Sequence, residues 1–436
     1  MSTLEKPPAI GTDYESIFQI VVSNGPLLSE FFQAYPYWAK LKHKAKAMGF
    51  EAPRLWTAVK YHRASQASRL HLHDDFSFNL PASLMEGLHN LDMHCGGSLQ
   101  SDLGPLPERV KDRFIISSLL TEAFSSSTLE GAVSTRDRAK ELIRQGKKPR
   151  NKSERMVVNN YLAMEFLREH RTADLTLPLL MELHSILSKD ALDQGEAGRF
   201  RDATEDVHIF DDLNGELIYT PPAAAQISER MSELIVFFNH QQSGLNAMAS
   251  GREQVFIHPI LRATIVHFMV GYIHPFTDGN GRMARALFYW HMLRNGYWLA
   301  EYLSISQIIL ESRSQYYRAF LEVEQDENDL TYFLLYHTKV LIRAFESLKA
   351  YLDRKLRQQH INHVDEARRL EILPRQAQLL EAIRKSATIW TIAQAQTYLN
   401  TSYGTARADL IALADRKLLE LYPLNKKTQG YRAILH

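Results

Sequence analysis

Residues Pro259–Ile273 (PILRATIVHFMVGYI) are apolar at nearly every turn, over a length that suits a buried helix. Residues Arg282–Arg294 (RMARALFYWHMLR) read as a second helix, stopped by Asn295-Gly296. No other pair of segments constrains the fold so strongly. Two such helices pack together, and the residues between them form the turn that joins them. That turn is His274-Pro275-Phe276-Thr277-Asp278-Gly279-Asn280-Gly281, and it runs on into Arg282-Met283-Ala284-Arg285.

The turn has the residue types of a loop that holds a polyphosphate beside a base. Gly279 and Gly281 allow backbone dihedrals that a side chain would forbid, so successive amides can converge on one point. Converging N–H groups at a helix start form an anion site, assisted by the helix dipole. Asp278 puts a carboxylate beside that site, where a magnesium ion carried by a nucleotide needs an oxygen ligand. Arg282 and Arg285, three apart, are expected to project from one helix face toward the same anion. His274 is the only loop residue able to take a proton near neutral pH. Taken singly, a His at a helix end is a cap, Asp-Gly-Asn-Gly a turn, and two arginines a solvated face. Their density between two apolar helices points to chemistry.

The string resembles, at every fixed position, the signature of the Fic family, His-Pro-Phe-x-(Asp/Glu)-Gly-Asn-Gly-Arg-x-x-Arg. That resemblance implies a mainly α fold, a Fic helical core with a small β-hairpin flap. It implies transfer of AMP from ATP to a hydroxyl side chain of a target protein, with release of pyrophosphate. By the same resemblance His274 is the general base and Asp278 the Mg2+ ligand. Gly279, Asn280 and Gly281 are the cradle for the α- and β-phosphates. Arg282 and Arg285 are the phosphate clamps, with Arg285 reaching the γ-phosphate, and Phe276 points into the core. Met181-Glu182-Leu183-His184 and Gly198-Arg199-Phe200-Arg201 resemble the family's helix and turn ahead of its flap. Residues 206–222 have apolar-rich arms around Asn214-Gly215, a hairpin signal in its own right. In the family this flap docks an extended segment of the target protein by strand addition.

Ser125-Ser126-Ser127-Thr128-Leu129-Glu130-Gly131 resembles the family's inhibitory helix pattern, with Ser126 and Glu130 as the fixed positions. One helical turn apart, the two share a face. A glutamate offered to Arg285 there is expected to form a bidentate, charge-assisted pair, taking the place of the γ-phosphate. The same glutamate could instead position a water that removes AMP from a modified protein, so a de-AMPylating or other phosphate-group-transferring enzyme stands as an alternative. A nucleotide-sensing DNA-binding regulator stands as another.

An apolar fraction of 45% with 23% charged residues is that of an ordinary globular protein. The single Cys95 excludes an intrachain disulfide and a cysteine-rich metal site and fits a reducing interior. The start has no basic and apolar leader, and no apolar run approaches the ~18–20 residues of a membrane span. A cytoplasmic protein with no membrane partner is expected. We expect an N-terminal helical region (1–111), a catalytic core (112–345) with the inhibitory helix near 120–131, and an exposed helical connector (346–373). Residues 374–436 complete the chain as a winged helix-turn-helix, with helices over Gln376–Arg384, Ile392–Leu399 and Thr405–Leu419 and a hairpin from Glu420 to Ile434. Residues 368–436 hold 11 Lys and Arg against 5 Asp and Glu, although the whole chain carries only +1. Arg407, Lys426, Lys427 and Arg432 would face DNA if the segment binds it. A protein partner through 374–436 is the competing reading, and the chain itself, by self-modification or as a homodimer, is a further candidate partner. The basic run Lys147–Arg155 reads as a solvated helix start.

Overall fold

The computed structural model describes residues 4–95, 100–101, 104–105, 108–192, 195–205, 207–210, 217–240, 256–386, 388–424 and 429–434. The described chain is mainly helical with a few short two-stranded sheets. Two compact units separate: Met1–Leu99 with Pro105–Leu348, and Gln100–Gly104 with Lys349–His436. None of the described helices is long and apolar enough to cross a membrane.

The first unit is built around the apolar helix Pro259–Ile273, buried along nearly its whole length. Its start follows from local chemistry: Pro259 occupies the first turn, and the His258 ring accepts the Ile260 N–H. Helix Asn280–Arg294 packs directly on it, beginning two residues earlier than expected because Gly279, at φ +88°, already supplies the left-handed N-cap. Helices Glu108–Leu129, Lys152–Glu169, Leu177–Ser188 and Ile227–Asn239 pack around this pair.

The N-terminal region expected to be helical (1–111) is not helical throughout. Helices Tyr14–Ser23, Gly25–Ala34, Trp38–Ala47, Ala52–Ala64 and Ala82–Cys95 are interrupted by an antiparallel hairpin, Ser68–Leu72 with Asp74–Phe78. Its period-2 pattern puts Leu70, Leu72, Phe76 and Phe78 in the core, and His73 takes the positive φ (63°) at its tip. Phe76 meets Phe268 and Tyr272 of the apolar helix edge to face.

Helix Glu108–Leu129 ends in a Schellman motif. Ala132 N–H bonds back to Ser127 C=O (2.9 Å) and Gly131 N–H to Thr128 C=O (3.1 Å). Gly131 takes the left-handed φ of +83° that this closure needs. Glu130 is therefore the C-cap residue, in the last turn rather than mid-helix. Further up the same helix the buried Glu122 accepts from Ser304 Oγ (2.9 Å) and from Ser306 N–H (3.1 Å) and Oγ, which pins the helix to the start of Ile305–Glu311.

In the second unit, helices Pro374–Ser386, Ile392–Leu399 and Tyr403–Asp415 precede a hairpin of Leu419–Pro423 and Gln429–Ala433. Leu379, Leu380, Ile383, Ala406, Leu410, Leu413 and Tyr431 form its core. A capping box at Thr391 and Gln394 starts the second helix. Buried Asp409 ties the third helix to the first through Arg375 (2.7 Å) and Gln376 (2.9 Å). That third helix starts at the Ser402 cap and ends at Asp415, short of the expected Leu419, because Lys417 turns left-handed (φ 58°) and Leu418 N–H closes on Leu413 C=O. Arg407 is exposed, and Arg432 faces Glu420 across the strands at 3.8 Å. Lys426 and Lys427 lie outside the described residues. Residues 346–370 belong to one helix, Thr331–Leu370, in which Leu341, Ala344, Leu348 and Leu352 are buried.

The core holds several imidazoles. Thr264, His337, His267 and Tyr316 form one buried hydrogen-bonded string, with His267 and His337 3.1 Å apart and His267 2.9 Å from the Tyr316 hydroxyl. Burial pushes His337 and His291 down to about 3 and His184 to about 4. An imidazole freed by unfolding binds its proton near pH ~6.5, so below that value the unfolded chain takes up protons that the folded one refuses. The stabilisation is complete above about pH 6.5 and is lost as pH falls toward 4. Urea midpoints measured between pH 7 and 4 should therefore decline steadily; a midpoint constant over that window would show that these rings are charged in the folded chain.

Candidate active site

The joining loop is closed by one side chain. Asn280 Oδ1 accepts the Phe276 N–H (2.9 Å), and Asn280 Nδ2 donates to the Phe276 carbonyl (2.7 Å). Asn280 is 2% exposed, so both bonds are shielded from water. The Phe276 ring is fully buried, stacked on His184 with centroids 3.8 Å apart and planes 9° from parallel. His184 is anchored in turn at both ring nitrogens. Nδ1 accepts the Gly198 N–H (3.0 Å), so the proton sits on Nε2, which donates to the Asp278 carbonyl (3.1 Å). Gly198 is held at φ +73°, and an added Cβ would fall 2.2 Å from Ser185 Oγ. His184 and Gly198 thus support the loop from beneath, as the turn Gly198–Arg201 meets it.

His274 ends the apolar helix in a left-handed conformation (φ 49°), with its N–H bonded to Val270 C=O. Its Nδ1 is 3.2 Å from the Gly271 carbonyl, which can only accept, so Nδ1 carries the proton. Nε2 keeps its lone pair, and among the described residues no hydrogen bond engages it. Burial pushes the imidazole below its ordinary value, against the pull of the Gly271 carbonyl and the Glu130 and Asp278 carboxylates and with the Arg201 charge acting in the same direction as burial. The ring is a neutral base at pH 7.

At the other end of the loop, helix Asn280–Arg294 opens with the N–H groups of Asn280, Gly281 and Arg282, which have no intrahelical acceptor. Met283 N–H is the first to bond within the turn, to Gly279 C=O at 2.8 Å. The Asn280 side chain is committed to the loop, so only its backbone N–H remains for an anion. Asp278 Oδ1 accepts from Gly279 N–H (2.5 Å) and Arg282 (3.0 Å), and Oδ2 lies 3.7 Å from the Lys152 ammonium. Burial would raise this carboxyl, but Arg282, Lys152 and the Gly279 N–H together hold it below the usual range, fully ionised. The expected solvated start at Lys147–Arg155 therefore brings one of its lysines to the rim of the loop.

The two arginines do not share an anion. Arg282, wholly buried, folds back beneath the loop to Leu187 C=O (2.9 Å) and Asp278. It reaches a phosphate only by releasing one of those partners. Arg285, one turn on, meets the end of helix Glu108–Leu129. Its Nε donates to Ser126 Oγ (2.8 Å) and its second terminal nitrogen to Ser126 C=O (3.1 Å) and Glu130 Oε1 (2.8 Å). The bidentate pair expected of Glu130 is a single hydrogen bond, made by the terminal nitrogen that also serves Ser126 C=O, while Nε is taken by Ser126 Oγ. Burial alone would push the Arg285 guanidinium down, but Glu130, with Tyr316 and Glu122, holds it above its ordinary value. Glu130 also lies against the Gly281 backbone: a Cβ there would come 2.1 Å from Glu130 Oε1. The carboxylate thus occupies the mouth of the anion site, in line with the first-turn amides.

Strands Ile209–Phe210 and Leu217–Tyr219 pair antiparallel, and the turn Asn214-Gly215 between them lies outside the described residues, as does Asp206. The Tyr219 hydroxyl donates to Tyr272 C=O (2.9 Å), two residues ahead of His274. Arg201 reaches both sides, with Nε on His274 C=O (2.9 Å) and a terminal nitrogen on Pro222 C=O. The sequence marks no role for His184 or Arg201; their side chains act on backbone amide and carbonyl groups, which leave no pattern in a sequence.

Residues 174–292 match the Fic/DOC family. Similar curated relatives are the protein adenylyltransferase fic-1 of Caenorhabditis briggsae, 31% identical over 152 residues (34% of this chain), and that of Caenorhabditis elegans, 30% identical over 146 residues (33% of this chain). The matched stretch spans only about a quarter of those relatives, 24% and 23% of their length. A Fic family protein from Desulfovibrio desulfuricans G20 shares the fold, with a TM-score of 0.51 at 20% identity over 81% of this chain and 96% of that one.

If Glu130 blocks the anion site, its removal exposes Arg285 and the first-turn amides. Glu130→Ala should bind inorganic pyrophosphate at least about tenfold more tightly by calorimetry, the equivalent of ~1.4 kcal/mol. Equal affinity in the two proteins would show that Glu130 does not stand in the anion's way.

Proposed function

We propose that the Fic/DOC-family domain makes this chain a protein adenylyltransferase that holds itself in check, moving AMP from ATP to a hydroxyl side chain of a target protein. One observation carries the reading: a neutral imidazole with a free Nε2 and an anion site at a helix start are fixed by the same short loop, and a carboxylate stands in that anion site.

The chemistry follows from those positions. An acceptor hydroxyl gives its proton to His274 Nε2 as its oxygen attacks the α-phosphorus of ATP. The new O–P bond forms, the bond between the α-phosphorus and the bridging oxygen breaks, and pyrophosphate leaves with the electron pair. The amides of Asn280, Gly281 and Arg282 face the developing negative charge without reorganising, and Arg285 holds the terminal phosphate once Glu130 has moved aside. Arg282 contributes from beneath by holding Asp278 in place.

Asp278 suits a magnesium ion arriving with the nucleotide, since it is ionised and Oδ2 faces only the exposed Lys152. Bound there, the ion would neutralise the phosphates. Strands Ile209–Phe210 and Leu217–Tyr219 would present an edge to an extended segment of the target.

Glu130→Gly protein incubated with α-labelled ATP and magnesium should label itself or an added extract about tenfold or more above wild type, and Glu130→Gly/His274→Ala should not label at all. Labelling that survives loss of His274 would sink the base assignment. Wild-type protein that strips AMP from a modified target, with no gain of transfer in Glu130→Gly, would move the reading to de-AMPylation.

A further inference from the structure

We infer that Arg201 is a positioning residue that holds the His274 imidazole in its reactive orientation and ties it to the flap. The inference rests on the reading of His274 as the base.

The geometry is specific. Arg201 is 7% exposed and bonds to backbone carbonyls on two separate elements. Its N–H donates to Pro275 C=O (2.9 Å), its Nε to His274 C=O (2.9 Å), and its terminal nitrogen to Pro222 C=O, just past the flap strand Leu217–Tyr219. The two catalytic-loop carbonyls are consecutive, so the His274–Pro275 and Pro275–Phe276 peptides are each held by the same residue.

His274 needs such support. A non-glycine residue at φ 49° is in a sparsely populated conformation that persists only when its surroundings over-determine it. Its N–H is held by Val270 and its ring Nδ1 by Gly271, both within the helix that ends there. Among the described residues, Arg201 alone holds its carbonyl from outside that helix. If φ of His274 relaxes from its left-handed value, the carbonyl and the Cα–Cβ bond swing together, and Nδ1 leaves the Gly271 oxygen. The ring is then free to adopt the other tautomer, in which Nε2 carries the proton and cannot act as a base.

The flap is joined to the same backbone a second time, through the Tyr219 hydroxyl on Tyr272 C=O, and the two rings pack at 5.5 Å. A segment docked on the flap is thereby registered against the residue that would deprotonate it. An arginine suits the task where a lysine does not: its planar fork serves carbonyls in two directions at once, and a lysine ammonium would satisfy them without fixing their angle.

The test compares Arg201→Ala and Arg201→Lys in the Glu130→Gly background. Readouts are kcat, ATP affinity by calorimetry, and the tautomer of His274 from nitrogen-15 spectra of histidine-labelled protein, assigned by its loss in His274→Asn. Arg201→Ala should lower kcat by about 100-fold, the scale of a misplaced catalytic group, with ATP affinity within about threefold. The His274 signal should pass from a single Nδ1–H tautomer to a mixture. Arg201→Lys should fall between and remain folded. An unchanged tautomer with unchanged kcat in a folded Arg201→Lys protein overturns the proposal. So does a fall of kcat and ATP affinity in step with a lowered melting temperature, which marks a merely structural arginine. Absence of any transfer by Glu130→Gly itself would count against the adenylyltransferase reading, and the tautomer spectra would still decide the role of Arg201.

Discussion

Everything at the candidate site depends on the pair of hydrogen bonds between the Asn280 side chain and the Phe276 backbone. A loop between two packed apolar helices could take many shapes. Asn280, as the first residue of the second helix, removes that freedom by folding its amide back onto the third residue of the loop. The bonds are buried, so breaking them leaves unsatisfied polar groups rather than hydrated ones, at a cost of about 1–3 kcal/mol each. With the loop closed, the Phe276 ring goes into the core and stacks on His184. His184 then fixes the Asp278 carbonyl, and the first-turn amides of the second helix are left aimed outward. Base and anion site are two ends of one rigid turn, and their separation does not depend on how distant elements pack.

The end of helix Glu108–Leu129 hydrogen-bonds to the helix that follows this turn through Arg285. Arg285 receives three hydrogen bonds' worth of partners from the end of helix Glu108–Leu129, two from Ser126 and one from Glu130. Ser126 is buried and its bonds place the helix end; Glu122, anchored on Ser304 and Ser306, keeps the rest of that helix from shifting. The polar contacts that locate the helix are thus separate from the one that covers the anion site.

The hub of the fold was legible because it depends on one property, continuous apolarity over Pro259–Ile273, which has few structural solutions. The loop was legible because its residue types are unusual at that density. The hairpin Ser68–Phe78 departs from the expected helical region although Leu70, Leu72, Phe76 and Phe78 alternate plainly, since the helical reading of residues 1–111 set the expected period. The divergence of Arg282 from Arg285 was not legible at all. Spacing places both on one helix face, but a long side chain goes to whichever carbonyl or carboxylate lies within reach, and Leu187 and Asp278 lie close to one, Ser126 and Glu130 to the other. The single bond in place of a bidentate pair has the same origin: the sequence holds no record that Ser126 would take two of the guanidinium donors.

That single bond sets the character of the proposed brake. Glu130 is a C-cap residue, about a quarter exposed (26%), on a backbone already closed by the Gly131 turn. Its side chain can leave Arg285 by rotating, with no helical hydrogen bond broken and Ser126 still in place. Hydrogen bonds to charged groups contribute about 1.5–3 kcal/mol, which corresponds to about 10- to 100-fold in occupancy of the anion site. A bidentate pair sealed from water would hold more firmly and would need the helix to move before the site could open. On the proposed reading a well-placed phosphate displaces this contact directly, so nucleotide concentration would enter the balance, and drawing Glu130 outward by the length of one side chain would shift it.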